Sequence, residues 1–270
     1  MVASHRKGSF VLRKISLIFV CLLILTSFGQ AYASSTYLIS MNDNNTVKIN
    51  SVKFEDDIRV LVEKGDSRYY YSLTDEEESI PLQLGNGAYN VKILENVSGN
   101  KYKVLEKKTL KLKEFDEKET FLVSAQPVVW EKDGQVSKLA KGLTKGLTND
   151  QDKVKAIYAY LVKNVVYDYN KIKGIDNDYV PNNIETLRTL SGICYDYSSL
   201  FAAMLRSLDI PTKLVKGYTS GLATYHSWNE VLIDGNWVII DTTYDAAYYQ
   251  ANTEIEMIKS ASDYTKIREY

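Results

Sequence analysis

The chain has 270 residues, of which 45% are hydrophobic and 25% are charged, with 14 Gly and only 4 Pro. This composition excludes a disordered chain, a collagen-like repeat and a low-complexity array, because each of these needs fewer apolar residues or far more Gly and Pro. The formal net charge of -1 creates no overall positive field that would attract nucleic acid. We therefore expect a globular protein that does not bind nucleic acid.

The first 33 residues have the three parts of a secretory signal. A basic start is followed by a mostly apolar run over residues 15–25 and by the small-x-small pattern of residues 31–33. We expect cleavage after Ala33 and a secreted or cell-wall-associated protein, with no transmembrane segment after cleavage. The alternative is an uncleaved anchor, but this run covers only about 16 Å of helix against a bilayer core of roughly 30 Å.

Cleavage would leave one cysteine, Cys194, and one histidine, His226, in a chain with a net charge of -5. A single thiol cannot form an intramolecular disulfide, although export implies an oxidising compartment. The thiol is therefore either buried and inert or a reactive nucleophile.

The sequence pattern changes near residue 130. Before it, short alternating runs separated by Gly-containing turns predict a small antiparallel β-sandwich over residues 34–130. After it, helical periodicity and then three strand-like runs predict an α+β domain over residues 131–270. We expect residues 248–270 to form a final helix or a partly frayed tail.

Local signals place the elements of the second half. Thr148 and Gln151 have the spacing of a capping box, and the apolar residues that follow them recur at helical spacing. Asp234-Gly235 between two apolar runs predicts a two-residue hairpin turn. The predicted helices after the capping box cover residues 184–190 and 194–208, and the predicted strands cover residues 213–218, 226–233 and 237–242.

Thiol catalysis needs a thiolate, a base and a group that orients the base. Cys194 is predicted in the first turn of its helix, where free backbone N–H groups favour negative charge. With a two-residue turn, Asp241 shares a sheet face with His226 and lies diagonal to it. Glu230 shares that face and is the alternative partner. Trp228 either shields the pair from water or packs in the core.

Three ordered motifs carry a family resemblance. They are G-x-C at residues 192–194, H-x-W at residues 226–228 and W-x-x-x-D at residues 237–241. Together they resemble the transglutaminase-like superfamily of bacterial proteins over roughly residues 133–245. The resemblance implies a papain-like cysteine fold in which Cys194 is the nucleophile, His226 the acid and base, and Asp241 the orienting group. Thr242 stands where the family often has Pro.

The resemblance implies attack of the Cys194 thiolate on an acyl carbonyl to give a thioester. Water as acceptor would make the chain a protease, amidase or deamidase, and an amine would make it a cross-linking transglutaminase. We favour hydrolysis of amide bonds in proteins or cell-wall peptides. The alternative is a non-catalytic exported binding or adhesion module on the same fold.

The sequence predicts no cofactor and no metal site. The loop of Asp176, Asn177 and Asp178 lacks an EF-hand pattern. The substrate-binding residues, the second oxyanion donor and the oligomeric state stay open at this point.

Overall fold

The structure is a computed structural model that describes residues 36–42, 44–51, 57–176 and 178–270. The predicted signal over residues 1–33 and the loop residue Asn177 lie outside the described residues. Within those ranges, no helix combines the length and the apolar character that crossing a membrane requires.

Two antiparallel sheets enclose one apolar core in the N-terminal half, which confirms the predicted β-sandwich. Val47, Val60 and Tyr89 are among the fully buried residues of that core. The sheet of order β1-β2-β5 contains β1 (Tyr37–Met41), β2 (Thr46–Ser51) and β5 (Glu77–Pro81). The sheet of order β4-β3-β6-β7 contains β3 (Ile58–Lys64), β4 (Ser67–Ser72), β6 (Gly87–Ser98) and β7 (Lys101–Leu112).

Helices form most of the chain between the sandwich and residue 206. They are α1 (Glu117–Thr120), α2 (Gln135–Leu143), α3 (Asp150–Asn164), α4 (Lys171–Gly174), α5 (Asn183–Thr189) and α6 (Cys194–Arg206), and α7 (Thr242–Gln250) follows later. The predicted cap of α3 is wrong by one residue, because the side chain of Asn149 accepts the backbone N–H of Asp152. Asn and Thr both cap helices well, so adjacent candidates are hard to separate from sequence.

Helix α6 is the centre of the second core. All side chains over residues 200–205 are fully buried, as expected for a helix that is apolar on every side. At its C-terminal end, the buried guanidinium of Arg206 donates to the backbone oxygens of Thr212, Val123 and Tyr270. Burial lowers the pKa of Arg206 to about 9. These three bonds attach the end of α6 to the start of the strand Thr212–Thr219, to Val123 and to Tyr270.

A five-stranded antiparallel sheet packs against α6. Its strands, in spatial order, are β13 (Ile258–Lys259), β12 (Asn236–Ile240), β11 (Leu222–Ile233), β10 (Thr212–Thr219) and β14 (Tyr264–Glu269). The β11–β12 hairpin has the predicted register from the Ile233–Asn236 pair to the Asn229–Ile240 pair. A separate parallel pair, β8 (Val166–Tyr167) and β9 (Ser191–Gly192), leads directly into α6.

The prediction of a final helix or a frayed tail is wrong. Helix α7 ends at Gln250, and the chain then adds β13 and β14 to the sheet, with β14 paired antiparallel to β10. Three consecutive residues of β14 are exposed and the other three are partly buried, so the strand lacks the alternation that marks a half-buried strand. Its pairing with β10 determines its structure.

The two apolar cores meet at one residue. Tyr270 packs against the sandwich core and against the core around α6. The domain limits at residues 34–130 and 131–270 stay predictions.

We predict that Gly217→Ala destabilises the sheet. A Cβ at this position of β10 would lie 2.0 Å from the carbonyl oxygen of Thr265 and 2.9 Å from Trp228 Cη2. The clash with backbone should lower the free energy of unfolding by about 2–3 kcal/mol, as overpacked sites do. Urea denaturation measures the change. Gly142→Ala is the control, because a Cβ there has open space and alanine should stabilise α2 by up to about 1 kcal/mol.

Candidate active site

Cys194 is the first residue of α6, as the sequence predicts. Cys194 is partly exposed, and Ile193 before it is extended and occupies the N-cap position without a side-chain hydrogen bond to the helix. The backbone N–H groups of the first helical turn have no partners within the helix, and the helix dipole adds partial positive charge there. The sulfur therefore lies where a negative charge is stabilised and where reagents can reach it.

A buried carboxylate holds the start of α6. Asp196 Oδ2 accepts the backbone N–H of Ile193 at 2.8 Å and Lys171 Nζ at 2.8 Å, and the hydroxyl of Tyr179 donates to Oδ1. Asp196 is fully buried, so it needs these donors to offset its desolvation. The sequence analysis did not identify this role, although an acidic residue in the first turn of the predicted helix was a signal for it.

The same carboxylate explains the glycine of the first motif. A Cβ on Gly192 would lie 2.6 Å from Asp196 Cβ. Only glycine lets β9 pass this close to the helix that carries Cys194.

His226 and Asp241 form a buried pair. His226 Nε2 lies 2.8 Å from Asp241 Oδ2, and the two side chains are 5% and 0% exposed. The predicted partnership is present, but Asp241 does not reach His226 from a position in the neighbouring strand, as predicted. Strand β12 ends at Ile240, and Asp241 caps α7 by accepting the backbone N–H of Tyr244 on Oδ1 at 3.0 Å.

The second ring nitrogen of His226 is left for the thiol. Because Nε2 is engaged by Asp241, Nδ1 is the ring nitrogen left for a second partner, and the electrostatic interaction of Cys194 with the ring makes its thiol the candidate. Burial by itself would lower the pKa of His226, but the hydrogen bonds and charges of Asp241 and Cys194 outweigh burial and raise this pKa to about 10. The imidazole is therefore cationic at neutral pH, and a neighbouring cation stabilises a thiolate.

Tyr264 is a further member of the site that the sequence analysis missed. Its hydroxyl donates to Asp241 Oδ2 at 3.1 Å, and its ring meets the edge of Trp228 at a centroid distance of 5.0 Å. Trp228 is 1% exposed and stacks beside His226. It therefore packs in the interior and also covers one side of the imidazole, so the two interpretations of Trp228 are compatible.

The alternative prediction, that Glu230 is the partner of His226, is wrong. Glu230 accepts Lys266 Nζ at 2.8 Å instead. Lys266 reaches Glu230 from β14, a strand that the sequence did not predict.

Comparison with known proteins assigns a family to this part of the chain. The family model described as transglutaminase-like superfamily matches residues 137–242, a range that contains all three motifs. The resemblance seen in the sequence is thus confirmed, and the chain contains a transglutaminase-like domain. None of the curated proteins matches this sequence.

Several solved structures are similar to parts of the chain. A candidate cysteine protease from Cytophaga hutchinsonii is 29% identical with a TM-score of 0.39, and the match covers 46% of this chain and 40% of that one. The periplasmic domain of TgpA from Pseudomonas aeruginosa is 16% identical with a TM-score of 0.40, covering 76% and 74% of the two chains. LapG from Legionella pneumophila is 16% identical with a TM-score of 0.38, covering 49% and 70%.

We predict that His226 stays protonated well above neutral pH. A ¹⁵N NMR titration of the processed chain, which has only this histidine, should show the imidazolium up to about pH 10. Asp241→Asn removes the carboxylate charge, so the pKa should fall. A midpoint near the unperturbed value of about 6.5 in both proteins would contradict the assignment.

We predict that Asp196→Ala destabilises the protein by about 3 kcal/mol, because it leaves Lys171 and the Ile193 N–H without their acceptor. Urea denaturation measures this loss. Glu185→Ala, which removes an exposed carboxylate from an ion pair with Arg188 on α5, is the control and should change the midpoint little. Equal shifts in the two variants would refute the role given to Asp196.

Proposed function

We propose that the transglutaminase-like domain of this chain is an exported cysteine enzyme that cleaves amide bonds through a thioester. The observation that carries the proposal is the arrangement of a partly exposed cysteine at a helix start, an imidazole that interacts electrostatically with its thiol, and a buried carboxylate hydrogen-bonded to the imidazole. The carboxylate orients the imidazole and the imidazole stabilises the thiolate, as in a nucleophilic triad.

In the first half-reaction, the Cys194 thiolate attacks the acyl carbon and the carbonyl oxygen becomes negative. The imidazolium of His226 then gives its Nδ1 proton to the amine nitrogen, the C–N bond breaks and a thioester remains. Asp241 holds the ring through Nε2 and stabilises its positive charge.

In the second half-reaction, His226 takes a proton from water through Nδ1 while the water oxygen attacks the thioester. The C–S bond breaks, the acid leaves, and the thiolate and imidazolium are restored. The backbone N–H groups at the start of α6 are suitable donors for the negative oxygen in both halves.

We favour water over an amine as acceptor because the sulfur is partly exposed and water needs no binding site of its own. The proposed substrates are proteins or the peptides of the cell wall. The secretion pattern of residues 1–33 supports export to the cell surface or beyond.

We predict that iodoacetamide alkylates Cys194 rapidly at pH 6 in the processed chain. His226→Ala should slow the reaction by about tenfold or more, because the cation that stabilises the thiolate is gone. Asp241→Asn should slow it less. The rate of mass increase, measured by mass spectrometry, checks this.

Asp234→Asn is the matched control for the carboxylate. Asp234 lies in the hairpin turn with a φ of 49°, which Asn also adopts readily. Its alkylation rate should equal that of the unaltered chain. A thiol that reacts slowly in every protein would overturn the catalytic proposal and favour the non-catalytic binding module. With a reactive thiol, product analysis of glutamine peptides, with and without a primary amine, distinguishes hydrolysis from cross-linking.

A further inference from the structure

A small cavity lies between the β-sandwich and the sheet that carries His226, and the residue after the proposed nucleophile lines it. Its volume is about 190 Å³. Tyr195, the residue after Cys194, forms part of its wall, and the sandwich contributes Arg59. The cavity therefore brings side chains from both halves of the protein next to the residue that follows the proposed nucleophile.

The cavity is lined by three cations and one carboxylate: Arg59, Lys216, Arg268 and Asp178. The carboxylate is already paired, because Asp178 binds Arg59 through both of its oxygens, at 3.1 and 3.0 Å. Among the residues that the structure describes, no carboxylate forms an ion pair with Lys216 or Arg268. The wall of the cavity therefore carries a net positive charge.

The two unpaired cations also face each other across a strand pair. Lys216 on β10 is the direct neighbour of Arg268 on β14, an arrangement in which like charges repel. Arg268 donates to the backbone oxygen of Arg68 at 2.6 Å, a contact that leaves its charge uncompensated.

Lys216 is held close to the nucleophile by aromatic contact. Its Nζ lies 3.2 Å from the centroid of the Tyr195 ring and 5.6 Å from that of Tyr270. Burial lowers the pKa of Lys216 to about 8, and a thiolate at Cys194 acts in the opposite direction. A cation kept partly desolvated without a carboxylate partner is costly unless an anion binds there.

We propose that Lys216 and Arg268 form a subsite for a carboxylate of the substrate, so that the enzyme prefers acyl donors with an acidic side chain near the attacked amide. The inference rests on the proposed function, since it takes Cys194 to be the nucleophile. A carboxylate in the cavity would neutralise the cross-strand repulsion and accept charge-assisted hydrogen bonds from both side chains.

Two pairs of alkylating reagents test the subsite. N-bromoacetyl-glutamate α-amide and its glutamine counterpart differ only in the side-chain carboxylate, and a second pair has one Gly inserted to vary the reach. In at least one pair, the glutamate reagent should alkylate Cys194 about tenfold faster at low salt, and the preference should shrink at high salt. Equal rates within both pairs would overturn the subsite.

Variants of the two cations test whether they cause the preference for the glutamate reagent. Lys216→Met and Arg268→Gln should each bring the glutamate-to-glutamine rate ratio close to one, whereas Lys216→Arg should keep most of it. A change in the intrinsic reactivity of the thiol affects both reagents equally and cancels in the ratio of their rates. If Lys216→Met does not fold, Arg268→Gln still tests the subsite. A ratio unaffected by both neutral variants would refute the assignment.

Lys266→Met is the charge control. It removes a cation from the same strand as Arg268, but Lys266 pairs with Glu230 and Glu269 and does not line the cavity. The glutamate-to-glutamine rate ratio of this variant should match that of the unaltered chain. Iodoacetamide separates the two proposals: slow alkylation of Cys194 contradicts the proposed function, whereas fast alkylation with no glutamate preference contradicts only the subsite.

Discussion

The carboxylate of Asp241 is the interaction on which the site depends. It is fully buried, and an ionised carboxylate in the interior is stable only when donors satisfy its oxygens. Its donors come from three elements: the imidazole of His226 on β11, the backbone N–H of Tyr244 in α7 and the hydroxyl of Tyr264 on β14. This one group therefore fixes the orientation of the base, the start of a helix and the position of an edge strand.

The nucleophile has a similar support on the other side of the site. Asp196 connects the start of α6 to α4 and to the loop of Tyr179, and the interior of the domain surrounds the rest of that helix. The helix cannot shift along its axis without breaking the buried contacts of Arg206 at its far end. Cys194 and His226 are thus held by two different buried carboxylates, Asp196 and Asp241, which suits a pair that must exchange one proton at fixed geometry.

Among the residues that the structure describes, most buried charged side chains have an opposite charge or several hydrogen-bond partners. Asp196 has Lys171, Asp245 has Lys259, and the guanidinium of Arg206 has three carbonyl oxygens. The partly buried Lys216 and Arg268 differ, since they are paired with each other across two strands and neither forms an ion pair with a carboxylate among the described residues. In the proposed subsite, these two cations bind a carboxylate of the substrate. Arg59 of the β-sandwich lines the same cavity, so the sandwich also contributes to the subsite.

The sequence by itself determined the α+β class, the register of the β11–β12 hairpin, the position of Cys194 at a helix start and the pairing of His226 with Asp241, because these depend on local signals: turn residues, helix starts and periodicity. It did not identify Tyr264 as a partner of Asp241 or the pairing of Lys216 with Arg268. Both depend on β14 lying beside β10, and β14 has neither an apolar alternation nor a turn that connects it to its neighbour. Contacts between strands so far apart in the chain are specified by the packing of the whole domain, so only the tertiary structure could decide them.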